Sequence, residues 1–134
     1  MNYLLDVNVL VAWGWSEHAD HGRVARWIGR ERGRPGVRLL TSPIPELGFI
    51  RVSVQRGAGA VAVSEACAVL DGMIASLGAV HSFIADDQRA TRLPAWCREA
   101  SRTTDAHLLA LAGAHGATLA TLDRGIPGSF AIPS

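Results

Sequence analysis

The sequence predicts an α/β domain, a three-layer α/β/α arrangement with a short, mainly parallel central sheet. Two observations point there. Thr103 to Ala112 reads as a helix that opens with an acid, Gly116 stops it, and Ala117-Thr118-Leu119-Ala120-Thr121-Leu122-Asp123 reads as a strand that closes with another acid. At the other end of the chain the apolar run Tyr3-Leu4-Leu5 is also terminated by an acid, Asp6, and a second apolar helix follows at once. Carboxylates at strand ends beside helix starts suit an open parallel sheet, whose crevice lies outside the carboxyl ends of its strands.

In chain order, Asn8 is expected to cap the first helix, Val9-Leu10-Val11-Ala12-Trp13, and Gly14 to Glu17 to form a loop. His18 to Arg34 reads as a helix with Val24, Ala25, Trp27 and Ile28 inward. Its other face carries Arg23, Arg26 and Arg30, either a solvated face or a contact to an RNA backbone. His18 and His21 are three apart on it, but no third ligand stands near enough in sequence to make a metal site of them. Pro35-Gly36 turns the chain into a second strand, Val37 to Leu40. Ser42 and Pro43 announce a helix that carries Glu46 in its first turn and runs through Leu47, Phe49, Ile50 and Val54 to a stop at Gly57 to Gly59. Val63 to Leu77 reads as an amphipathic helix with Ala66, Val69, Leu70, Ile74 and Leu77 inward. Val80 to Ile84 reads as a short edge strand in which His81, alternating with apolar neighbours, is structural. Asp86-Asp87 resembles a helix start and Pro94 an interruption, so two short helical pieces are expected, Asp87 to Thr91 and Pro94 to Ala100. Arg89, Arg92, Arg98 and Arg102 then read as exposed helix charges, some within reach of the crevice. Thr103 or Thr104 can cap the helix of Leu108, Leu109, Leu111 and Ala112, and Phe130-Ala131-Ile132 makes a last short strand. There is no repeat, low-complexity segment or linker, so residues 1–134 read as a single domain.

Composition narrows the function. A chain of 134 residues with 49% hydrophobic content can bury roughly two-thirds of its unfolded surface without a disulfide. Cys67 and Cys97 are expected to be two buried small side chains in a reducing cytosol. Met1-Asn2-Tyr3 enters the first strand directly, so neither a signal peptide nor a membrane span is expected, and the expected location is cytoplasmic. A net charge of +1 argues against a broad cationic surface that holds nucleic acid by itself. All 13 basic residues are Arg, whose planar fork suits phosphate. The absence of Lys excludes a phosphate-accepting receiver domain and a P-loop, each of which needs one. A haloacid-dehalogenase-like phosphatase would want an Asp where Asn8 stands.

The acids Asp6, Glu46, Asp105 and Asp123 all fall at helix starts or strand ends. Taken singly, Asn8 is an ordinary N-cap, Thr121 a strand residue, and Asp105 and Glu46 first-turn acids favoured by the helix dipole. Brought together, carboxylates repel one another, and a divalent cation resolves the conflict. Hard oxygen ligands select Mg²⁺, with Mn²⁺ able to substitute. Such a site supports in-line attack of water on a phosphodiester.

Asp6-Val7-Asn8-Val9-Leu10, Pro45-Glu46-Leu47-Gly48-Phe49-Ile50-Arg51, Thr104-Asp105-Ala106-His107-Leu108-Leu109 and Thr121-Leu122-Asp123-Arg124 resemble, in order and spacing, the motifs of PIN-domain nucleases. The resemblance is to VapC-type ribonuclease toxins of toxin-antitoxin pairs in particular, and runs from Tyr3 to about Ile132. It implies an endoribonuclease in which Asp6, Asp105 and Asp123 hold metal directly or through water. Glu46 would complete the acidic pocket and help orient the attacking water, and Asn8 and Thr121 would support that shell by hydrogen bonds. It also implies an RNA substrate, a cognate antitoxin whose tail covers the crevice, and a homodimer using apolar residues around Phe49 to Val54 and Val63 to Leu77. The competing reading is a PIN-like RNA-binding or RNA-processing module that is not a toxin and has lost catalysis; the presence of all four acids counts against lost catalysis.

Overall fold

The computed structural model describes residues 1–134. Five strands, β1 (Asn2–Leu5), β2 (Arg38–Thr41), β3 (His81–Phe83), β4 (Thr118–Thr121) and β5 (Phe130–Ala131), form one sheet in the order β3-β2-β1-β4-β5 with every neighbouring pair parallel. The helices are α1 (Val7–Gly14), α2 (His21–Glu31), α3 (Pro43–Arg56), α4 (Val63–Leu77) and α5 (Thr103–Ala114).

Alternation along the strands divides the core into two. Tyr3, Leu5, Leu39 and Ala120 face a cluster with Val9, Leu10, Trp27, Ile28, Phe49 and Leu70, contributed by α1 to α4. Leu4, Leu40 and Leu119 face the opposite cluster with Leu108, Leu111 and Ala112 of α5. Strands buried on both faces read as continuous apolar runs, which is why these short segments were legible as parallel strands. The three-layer expectation is met. The chain goes from β1 to β2 and β3 on one side and returns to β4 and β5 on the other. The strand order therefore reverses between β1 and β4, the place where open α/β sheets leave a crevice.

Gly48 sets how closely α1 and α3 approach. A Cβ built there would stand 2.5 Å from Val7 Cγ2. Since Val7 directly follows Asp6 and Gly48 comes two residues after Glu46, this close contact fixes the spacing between the two elements that carry those acids.

Several local expectations are corrected. Asp6, not Asn8, caps α1: its Oδ1 accepts from the Val7 N–H at 2.7 Å, while Asn8 lies within the helix. Neither Thr103 nor Thr104 caps α5, because Arg102 occupies the N-cap and Thr103 Oγ1 donates back to the Ala100 carbonyl at 2.8 Å. Ser42 holds the N-cap position of α3, yet its buried hydroxyl makes no cap bond. The helix expected over His18 to Arg34 begins only at His21, and Arg23 is turned to the carbonyls of Ile132 and Pro133.

Residues 84–99 hold no helix where two short pieces were expected. Asp86 Oδ1 does accept from the Gln88 N–H at 3.1 Å, as a helix start would. The following residues lack an apolar stripe to bury, and Pro94 removes a donor, so no turn propagates. Cys67 and Cys97 are half-buried free thiols, not buried ones. Phe49 is fully buried in the core, so it is no part of an apolar surface left for a second copy. Val63–Val80 is long and apolar enough by composition to cross a membrane, with a mean hydropathy of 1.5, contrary to the expectation that no such segment exists. In the fold, Ala66, Leu70, Met73 and Leu77 of that segment are buried inside the domain, while Glu65 and Asp71 are exposed.

Candidate active site

Asp6 leaves β1 at the crevice and is 4% exposed, a carboxylate almost wholly out of water. Its backbone N–H still belongs to the sheet, donating to the Ala120 carbonyl at 3.0 Å, so the side chain is placed by the β1–β4 pairing. Oδ1 takes the Val7 N–H and Oδ2 takes the Thr121 hydroxyl at 2.7 Å.

Thr121 closes β4 and is the hub of the site. Its Oγ1 donates to Asp6 and accepts from Asn8 Nδ2 at 3.2 Å and from the Asp123 N–H at 3.1 Å. Asn8 Oδ1 accepts from the Leu122 N–H at 3.1 Å, tying the first turn of α1 to the chain leaving β4. These bonds satisfy the hydroxyl donor of the fully buried threonine and fill its acceptor capacity, as low-dielectric surroundings require. Asp123 Oδ1 accepts from the Gly125 N–H at 2.7 Å, which fixes the turn after β4.

Asp105 lies in the first turn of α5 and is half-buried. Burial raises its carboxyl above the ordinary value, the charge of Asp123 raises it further, and Arg102 opposes the shift. Asp6 is raised as well. Burial is the largest cause, its bonds from Thr121 and Val7 oppose it, and the charges of Asp105 and Asp123 add to it. Asp6 thus feels the charges of Asp105 and Asp123, and Asp105 feels that of Asp123. Asp6, Asn8 and Asp105 line a cavity of about 340 Å³ together with His18, Arg51 and Thr104.

Glu46 is held by a separate set of hydrogen bonds. It accepts from the Thr41 hydroxyl at 2.7 Å, and the same hydroxyl lies 2.7 Å from His81 Nε2. With its one proton given to Glu46, Thr41 must accept from a protonated Nε2. Burial lowers the His81 value, with Glu46 opposing, so the ring is a neutral donor at neutral pH. His81 is structural, as its alternation with apolar neighbours indicated, and what it supports is the first-turn acid of α3. Thr41 was missed in the sequence. Its signal was present: like Thr121, it is a hydroxyl closing an apolar strand, and both are fully buried.

A match to the PIN domain covers residues 3–128. The chain belongs to the PIN-domain family. Its similarity to Ribonuclease VapC39 of Mycobacterium tuberculosis is 35% identity over 133 residues, spanning 96% of this chain and 94% of that protein. Ribonuclease VapC38 of the same species is 36% identical over 129 residues, with 92% of this chain and 86% of that protein covered. Among solved structures, the crystal structure of VapBC2 from Rickettsia felis bound to a DNA fragment from their promoter superposes with a TM-score of 0.62. It covers 98% of this chain and 97% of that one at 15% identity, a likeness of fold alone.

PIN-domain ribonucleases of the VapC type are metal-dependent, and the residues present fit a hard divalent cation. The donors are all oxygen, and two of the three aspartates are pushed up, chiefly by burial and further by neighbouring aspartate charge. No three His, Cys, Asp or Glu side chains form a ready-made ligand cage.

Proposed function

We propose that this PIN-domain protein is an Mg²⁺-dependent endoribonuclease, with Mn²⁺ able to substitute, and the toxin of a toxin-antitoxin pair. The observation that carries the reading is that Asp6 and Asp105 line one cavity at the switch point between β1 and β4, with Asp123 tied beside Asp6 through Thr121, in a chain whose relatives are named ribonucleases. Asp6, Asp105 and Asp123 would hold the cation. When bound, it supplies positive charge for the phosphodiester and lowers the pKa of water near it.

The chain's own residues do the rest. Thr121 and the Val7 N–H hold Asp6 in one orientation, and Asn8 locks Thr121. Burial of Asp6 keeps bulk water from screening its charge. Glu46, held by Thr41, presents a further acid from α3 that orients the attacking water. The scissile strand enters from the cavity mouth, where Arg51 is exposed.

In the same reading the protein works in the cytoplasm as a homodimer and is silenced by an antitoxin segment whose Arg or Lys enters the acidic pocket. Leu47 on α3 and Val63 on α4, 63% and 58% exposed, are apolar side chains available to a second copy.

Purified protein is expected to cut single-stranded RNA in Mg²⁺ or Mn²⁺, to stop in EDTA, and to lose activity as Asp6→Asn or Asp105→Asn. Cutting that continues unchanged in EDTA overturns the metal-dependent reading. Light scattering showing only monomer at micromolar concentration removes the homodimer, and failure of a neighbouring gene's small product to copurify removes the antitoxin.

A further inference from the structure

Arg102 is held in an unusual way beside the acids. It immediately precedes α5, three residues before Asp105. Its guanidinium carbon stands 5.3 Å from the centroid of the Trp96 ring, and Trp96 is itself packed against the core cluster under α5. On the other side the guanidinium donates to the Gly125 carbonyl, in the turn whose Gly125 N–H is bound by Asp123. One arginine therefore joins the segment before Asp105 to the turn after Asp123.

The tethers are a ring face and a neutral carbonyl. No carboxylate lies within ion-pair distance of Arg102, unlike Arg23, Arg34 and Arg56, which are paired with Asp20, Glu31 and Glu17. Its charge reaches Asp105, whose carboxyl value it lowers, but no direct ion pair occupies its donors, and the side chain is already ordered. An exposed arginine ordinarily loses rotamer freedom when it binds, and one already fixed by stacking and a carbonyl loses less. A guanidinium has five N–H donors in a fork that matches two phosphate oxygens, and the carbonyl takes few of them. Any RNA strand lying over Asp105 and Asp123 passes this group.

We propose that Arg102, ordered by Trp96 and the Gly125 carbonyl, binds a non-bridging phosphate oxygen of the RNA strand at the α5 side of the acidic site. The inference rests on the ribonuclease reading and adds a substrate-binding residue to it. Arg89, Arg92 and Arg98, which the sequence offers equally, have no such tether to the turn after Asp123.

The roles of phosphate ligand and of mere turn support give opposite patterns in two measurements. Steady-state cleavage of a fluorescein-labelled single-stranded RNA in Mn²⁺ should show kcat/KM about tenfold lower for Arg102→Ala, mostly through KM, the scale of one charge-assisted hydrogen bond. Its dependence on NaCl should be shallower, the logarithmic slope falling by roughly 0.7 for one lost contact to a single strand. Arg102→Lys, which keeps the charge and loses the fork, should fall between. Mn²⁺ binding followed by electron paramagnetic resonance, with no RNA present, should be unchanged or tighter in Arg102→Ala, because a cation beside Asp105 has gone. Parent-like KM and salt slope in Arg102→Ala overturn the proposal. So does a loss of Mn²⁺ affinity parallel to the loss of activity, which marks Arg102 as support for the Asp123 turn. A parent that cuts no RNA removes the ribonuclease reading and this inference with it, whereas a cutting parent with an indifferent Arg102→Ala removes the inference alone.

Discussion

Asp105→Asn should stabilise the metal-free protein at neutral pH. Asp105 is the cleanest of the acids to change, because no hydrogen bond to its carboxylate holds the fold together, whereas Asp6 caps α1 and Asp123 fixes the Gly125 turn. What it contributes without metal is a partly buried charge, repelled by Asp123 and repelling Asp6, that the attraction of Arg102 only partly offsets. Two like charges about 6–8 Å apart repel by roughly 2–3 kcal/mol at an effective dielectric of 20 and by roughly 0.5–0.7 kcal/mol in water. Asp105 is half-buried and screened on its open side, so about 1 kcal/mol is the expected gain. For a domain of this size that corresponds to a rise of about 3–5 °C in Tm. The pH dependence has a definite sign. The unfolded carboxyl titrates near its ordinary value of 3.8 and the folded one higher. Below the unfolded value there is no penalty; as pH rises through the folded value the folded protein gives up a proton it holds more tightly, and stability is lost. The advantage of Asp105→Asn should therefore be full at pH 7 and shrink toward pH 4. Saturating Mn²⁺ should reverse the ranking, since ligand at 100 times Kd stabilises the parent by about 2.7 kcal/mol and the variant by much less. Thermal melts of both proteins in EDTA and in Mn²⁺, at both pH values, measure all of this. A variant that melts lower than the parent in EDTA at pH 7, or that keeps the parent's full Mn²⁺ shift, refutes the reasoning.

Three other substitutions have expected outcomes. Thr121→Val removes the hub joining Asp6, Asn8 and Asp123, so denaturant unfolding should show a loss of about 2–3 kcal/mol from stranded buried polar groups, with Thr121→Ser recovering most of it. Gly48→Ala drives a methyl against Val7; α1 and α3 must part, at about 1–3 kcal/mol, and RNA cleavage should fall although no acid is altered. Asp86→Asn weakens the 2.7 Å bond to His107 Nε2 that pins residues 84–99 to α5; hydrogen exchange over that segment should quicken while exchange in β1 and β4 stays as in the parent.

How far the sequence could be read depended on whether a residue's role was local. Val63 to Leu77 was legible to the residue because its apolar spacing and the flanking glycines are local signals. Asp6 and Asp123 were legible as neighbours because a parallel sheet places its strand ends on one side, and Thr121, which bonds Asp6 and the Asp123 N–H, joins them there. Asn8 was legible only through the family motif: read locally, an Asn after a strand is a good N-cap, whereas its bond is to Thr121, 113 residues away, as the supporting role implied by the resemblance requires. Glu46 is legible in its motif, but the Thr41 hydroxyl and His81 that hold it are not, because that contact joins three separate elements. Asp86-Asp87 offered a helix start with nothing apolar behind it, and the acid is used by His107 of α5. Arg102 was one of several indistinguishable arginines until Trp96 and Gly125 were seen to hold it.

The account's central claim is that the acids at the β1–β4 switch point direct water onto an RNA phosphodiester. The most direct test is a single-turnover cleavage of RNA in H₂¹⁸O with Mg²⁺, with mass spectrometry of the new ends. Attack by water predicts one ¹⁸O atom in a terminal phosphate monoester, and no product from Asp6→Asn. A terminal 2′,3′-cyclic phosphate without the label would mean that the RNA's own 2′-hydroxyl attacks, and would contradict the claim.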